Sequence, residues 1–128
     1  MIIQQEFQHD PFKLLIGCIM LNQTSNKNVR QVIYNFFDRW PTPNSVLEAN
    51  EDDIREAIRP LGFYNVRTNR IIRFSSEYIN KKFDRVSELY GIGKYAEDSY
   101  EIFINGNLSV EPTDKILIRY LNGEFIDQ

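Results

Sequence analysis

Apolar residues recur along this chain at intervals of three and four, and prolines and small polar residues suited to helix starts break the pattern into short amphipathic segments. Asp10 followed by Pro11 reads as a helix start, because Asp accepts the orphan amides and Pro tolerates the first helical position. The run that follows, "FKLLIGCIMLN", is apolar on nearly every side and predicts a buried central helix. "TSNKNVRQVIYNFFDRW" predicts a second, capped by Thr24 or Ser25, with Val29, Val32, Ile33, Phe36, Phe37 and Trp40 on one face and Pro41 and Pro43 as its stop. Ser45 and Asn50 start two short helices, "VLEA" and "EDDIREAI", the second carrying acidic residues where the helix dipole favours them. After Pro60 and the loop "LGFYN", a longer helix runs from about 65 to 79. It buries Ile71, Ile72, Phe74 and Tyr78, with Arg67, Arg70 and Arg73 on or near another face. "RVSEL", "YAEDSYEIFIN" closed by Gly106, and "DKILIRYLN" starting at Asp114 complete the series. No strand-like alternation extends beyond a few residues, and no repeat is visible, so the expected class is all-α.

At 128 residues, 42% hydrophobic and 13% aromatic, the chain is long enough for one domain with an ordinary core. No apolar run reaches the roughly 18 residues of a membrane span, and "MIIQQEFQHDPF" lacks the shape of a signal peptide, so a soluble nuclear or cytosolic domain is expected. One cysteine, Cys18, and one histidine, His9, cannot build a disulfide framework, a zinc site or a cysteine-ligated cluster. Cys18 is expected to be a small buried hydrophobe and His9 a helix-entry residue. The formal net charge is −3, but residues 65–95 hold seven cationic side chains against three acidic ones, a local +4. A chain that is acidic overall with one basic third can bind a polyanion on that side, or merely solvate it.

Four features bear on chemistry. Gly91-Ile92-Gly93 can be an ordinary inter-helix turn, or it can leave the next helix's first amides open to an anion, with Lys94 beside them and Ile92 plugged into the core. Asp114 can be a plain N-cap, or a carboxylate at the edge of a cleft that activates water or stabilises a cation. Tyr95 can be core or pocket wall, and Gln23 a surface amide or a probe.

Taken in order, "PFKLLIGCIMLNQTSNKNV", "RPLGFYNVRTNRI", "ELYGIGKYAEDSY" and "VEPTDKILIRYL" resemble the helix-hairpin-helix superfamily of DNA glycosylases. The similarity is greatest to the catalytic domain of the methyl-CpG-binding-domain mismatch-specific thymine and uracil glycosylases, with endonuclease III more distant. The resemblance spans about Ile3 to Tyr120. It implies a multi-helix fold with an active-site cleft between two helical lobes and without an iron-sulfur cluster. The whole chain, 1–128, would be one such domain, a helical barrel over about 11–105 and a second lobe from 1–10 plus 106–128.

The resemblance also implies roles. Gly91, Ile92, Gly93 and Lys94 match the hairpin that grips a DNA phosphate, often with a monovalent cation; no catalytic metal and no cofactor are implied. Asp114 matches the catalytic aspartate. Tyr95 stands where bifunctional members carry a Schiff-base lysine. Lys94 lies one residue too early, and a residue is a rotation of about 100° on a helix, so it should face away from the pocket. Base release without strand cleavage follows, with Tyr95 and Gln4 lining the pocket of the extruded base. Gln23 and Phe63 match the residues inserted into the duplex; glutamine at the first is closer to the endonuclease III branch. The expected partner is double-stranded DNA with a mismatched thymine or uracil opposite guanine, bound by a monomer, in the nucleus or in a prokaryotic nucleoid. The abasic product would pass to an abasic endonuclease. A non-catalytic helix-hairpin-helix module would keep the glycines and the basic helix without needing Asp114, and a plain interaction domain would need neither.

Overall fold

A computed structural model of the chain describes residues 1–124. In order, the helices are α1 (Ile3–Glu6), α2 (Pro11–Leu21), α3 (Asn26–Arg39), α4 (Pro43–Glu48), α5 (Glu51–Ile58), α6 (Tyr64–Asn80), α7 (Lys94–Phe103) and α8 (Lys115–Leu121). Single 3-10 turns cover Arg59–Leu61 and Val86–Glu88, and the described residues contain no strand. None of these helices is long and apolar enough to cross a membrane.

The all-round apolarity of α2 has its expected consequence. Every residue from Leu14 to Leu21 is buried, and α3, α6, α7 and α1 pack around it. Asp10 Oδ1 accepts from Lys13 N at 3.1 Å, and Pro11 takes the first position. α3 turns Val29, Val32, Ile33, Phe36 and Phe37 inward and is capped by Ser25, not Thr24. α4 and α5 lie against α6, and Phe12 stacks on Phe74 with ring centroids 5.8 Å apart.

Several local expectations are corrected. Thr42, not Ser45, caps α4; Ser45 sits one turn inside and returns the bond in a capping box. α1 was not anticipated. Its four residues are too few for a periodic signal, and tertiary contacts hold it. Ile2 and Ile3 are fully buried, Ile3 N donates to Asn26 Oδ1 at 2.8 Å, and Gly17 of α2 lets Ile3 approach so closely that a Cβ there would lie 3.0 Å from its Cγ2. Arg67, placed by its spacing with Arg70 and Arg73, is only 2% exposed. Gly106, at φ 68°, closes α7 as expected, with Asn107 N donating back to Glu101 O at 2.8 Å.

Candidate active site

Among helices of seven or more described residues, α6 and α7 are the two that begin without a side-chain cap. At α7 the reason is the second hairpin glycine. Gly91 has φ 82°, a conformation that favours glycine, whereas Gly93 is extended at φ −102° and a Cβ there would meet nothing within 4 Å. The fold needs glycine only at Gly91; at Gly93 it leaves the α7 N-terminus uncovered. The first intrahelical bond there is Glu97 N to Gly93 O at 3.0 Å, so the amides of Lys94, Tyr95 and Ala96 lack a helical acceptor. Such an end attracts an anion. Ile92 is buried and anchors the turn.

Lys94 and Tyr95 part company at this point. The Lys94 ammonium donates to Asp98 Oδ2 at 2.7 Å and to the Glu111 carbonyl at 3.1 Å, so its side chain ties α7 to the loop before α8. Its neighbour is turned the other way, into a cleft of about 440 Å³ bounded by Tyr95, Asn26, Thr113, Asp114, Ile116 and residues 21–25. That volume falls within the range of small-ligand sites.

Asp114 forms one wall of the cleft. Its Oδ2 accepts from Leu117 N at 3.0 Å and caps α8, while Oδ1 makes no hydrogen bond among the described residues. Capping and an open carboxylate oxygen therefore coexist. Opposite, Gln4 Nε2 donates to Tyr95 Oη at 2.6 Å and to Ser99 Oγ at 3.3 Å. Gln4 is 1% exposed, and its Oε1 is a buried acceptor with no hydrogen-bond partner among the described residues. Burial, aided by the nearby Cys18 and Asp114, raises the Tyr95 phenol far above its ordinary range, against the lowering effect of the Gln4 bond. Tyr95 is a neutral donor and acceptor at any working pH, not a base. Burial likewise pushes the Cys18 thiol up to about 12, against the hydrogen bond with Ser99, so it offers no thiolate.

Gln23 and Phe63 come together on the far side of the residue 21–26 turn. They line a second, smaller cavity of about 100 Å³ with Asn22, Val66, Arg67 and Arg70, and Gln23 borders both cavities. Phe63 is 67% exposed, unusual for so large an apolar ring. Gln23 (φ 63°) and Phe63 (φ 46°) are also the described non-glycine residues in the left-handed region. Backbone strain of that kind persists where surrounding structure enforces it. Sequence reading missed two residues here. Asn26 pins α1 and thereby Gln4, and Arg67 holds the carbonyl before Phe63 and two in the last turn of α2; neither has a local signature.

The chain is similar to the methyl-CpG-binding domain protein 4-like protein of Arabidopsis thaliana, 39% identical over 120 residues, covering 93% of this chain and 27% of that protein. It is similar to a thymine-DNA glycosylase of Aeropyrum pernix, 31% identical over 121 residues, covering 88% of this chain and 53% of the other. The chain thus spans about a quarter and about half of those relatives' lengths. Its fold matches a thermostable thymine-DNA glycosylase with a TM-score of 0.74 at 23% identity, covering 82% of this chain and 52% of that one. It matches a non-covalent endonuclease III–DNA complex with a TM-score of 0.73 at 22% identity, covering 86% and 54%. A profile of the HhH-GPD superfamily of base excision DNA repair proteins matches residues 16–122, and to that family this chain belongs.

Proposed function

We propose that the chain is a monofunctional DNA glycosylase that hydrolyses the N-glycosidic bond of a thymine or uracil mispaired with guanine. The observation that carries this reading is the pairing, across one cleft, of the open Asp114 oxygen with the Tyr95–Gln4 pair. Thymine and uracil both offer an imide N–H flanked by carbonyls. Gln4 Oε1, an acceptor without a partner among the described residues, next to a phenol donor, suits that edge. The base must leave the helix to enter, and Gln23 and Phe63 are the side chains poised to fill the space it vacates.

In the reaction the C–N bond breaks with its electron pair going to the base, and the sugar gains oxocarbenium character that the Asp114 carboxylate stabilises. Water adds to the anomeric carbon and gives up its proton to Asp114 or through it to solvent. None of the described residues that bound the cleft is a lysine, which supports base release without a Schiff base. Tyr95 occupies the cleft, and the Lys94 ammonium is engaged by Asp98 and Glu111. The α7 amides, with Arg70 nearby, would hold the backbone phosphates. A monovalent cation at the same turn, which the family resemblance implies, would offset phosphate charge there. The product is an abasic site for a separate endonuclease to process.

Single-turnover assays on G:T and G:U oligonucleotides, with alkali to break the abasic product, test this directly. Base release is expected from the native chain and a loss of at least about a hundredfold from Asp114→Asn, with duplex affinity nearly unchanged. Borohydride should trap no covalent complex. Duplex binding without release, unaffected by Asp114→Asn, would instead identify a non-catalytic binding module.

A further inference from the structure

Arg67 is the most deeply buried cation in the described structure, and it has no carboxylate partner. It is 2% exposed, and its three hydrogen bonds all go to backbone carbonyls. Nε donates to Gly62 O at 2.9 Å, and Nη1 to Ile19 O at 3.1 Å and Met20 O at 3.0 Å. The last two belong to the final turn of α2, where the helix dipole supplies partial negative charge. Burying a guanidinium on such terms is costly, and an apolar side chain would serve a core better.

What an apolar side chain cannot do is hold two separate segments at once. Gly62 O immediately precedes Phe63, and Ile19 and Met20 lead into Asn22–Gln23. The two segments carry the non-glycine residues with left-handed backbones, whose relaxation must be resisted from outside. Arg67 also borders the cavity between them, and its Nη2 makes no hydrogen bond among the described residues.

We infer that Arg67 is a positioning residue that locks the Gln23 and Phe63 loops to one another, so that the two side chains enter the duplex as one rigid unit. This rests on the proposed insertion of those side chains. Lysine has the charge and nearly the length, but its single ammonium cannot span both loops.

The test reads extrusion, not base release. All variants carry Asp114→Asn to stop chemistry, and 2-aminopurine beside the mismatched base reports unstacking. Arg67→Lys should slow the fluorescence rise about tenfold while affinity for fully paired duplex changes less than about threefold. With Gln23→Ala and Phe63→Ala present, adding Arg67→Lys should cause no further slowing. An unchanged rate, a parallel loss of plain-duplex affinity, or fully additive slowing overturns the inference. If the otherwise native protein binds the mismatch without any fluorescence change, the proposed extrusion fails instead. Should Arg67→Lys not fold, native hydrogen exchange of the unaltered chain decides. The amides of Thr24 and Arg67, bonded to Leu21 O and Phe63 O, should open together with one denaturant dependence; independent openings reject the lock.

Discussion

Asp114 caps α8 through one oxygen and leaves the other open to the cleft, and substitution separates the cap from the proposed catalytic role. Asparagine retains a side-chain oxygen for Leu117 N, so Asp114→Asn should lose base release at almost no cost in stability. Asp114→Ala loses the cap as well and should be less stable by about 1 kcal/mol, read as a lower melting temperature than the asparagine variant's. Cys18 gives a second residue-level test. Its pKa rises from 9.0 in the unfolded chain to about 12 in the folded one, chiefly through burial. The thiol therefore favours folding fully below pH 9, and that contribution disappears as pH climbs from 9 to 12, because the unfolded chain loses its proton first. Stability should fall with alkali in that window, less steeply in Cys18→Ala, and disulfide reagents at pH 8 should label the thiol only after denaturation. Of these residues the sequence made Asp114 readable as a cap and Cys18 as buried. The open second oxygen depends on what lies across the cleft.

The three arginines of α6 show where element-level reading stops. Their three-residue spacing suggests one face, yet each step of three turns by about 300°, so Arg67 and Arg73 lie roughly 120° apart around the axis. Neighbouring helices choose which of them faces inward. Arg67 is enclosed, and Arg73 pairs with Glu77 at 3.4 Å and lies 4.0 Å over the Tyr90 ring. Arg70 has no ion pair or hydrogen bond among the described residues, and its Cβ lies 3.7 Å from the position of a Cβ on Gly91, between the Gly91–Gly93 hairpin and Phe63. Arg70→Ala should reduce the slope of log affinity against log salt for duplex binding by about one, and Arg73→Ala by clearly less. An equal effect of both would mean that the basic face acts as an undivided patch. The helices themselves were legible from periodicity and caps, since α2, α3, α5 and α6 follow local rules. α1 was not, because its order comes from Asn26 and Gly17, which are distant in sequence.

Over the whole molecule, the cleft gathers Tyr95, Asp114 and the residue 21–26 turn, with Gln4 behind Tyr95. Periodicity cannot connect such distant positions; the order of four motifs resembling a known family could. Anchoring of the N-terminal segment is therefore part of the site. Ile3→Ala empties a fully buried position and should cost about 2–4 kcal/mol by denaturant unfolding. At temperatures where that variant stays folded, it should weaken base release more than duplex binding, because Gln4 is the next residue. The layout has one more consequence. Gly91, Gly93, Gln23 and Phe63 all precede the Glu111–Asp114 loop, so a chain cut by protease or cut short in synthesis after Ile104 keeps every element proposed to grasp DNA and lacks its carboxylate. If such a remnant stays folded and the proposed function holds, it would antagonise its own parent. It would occupy mispairs and shield them from repair.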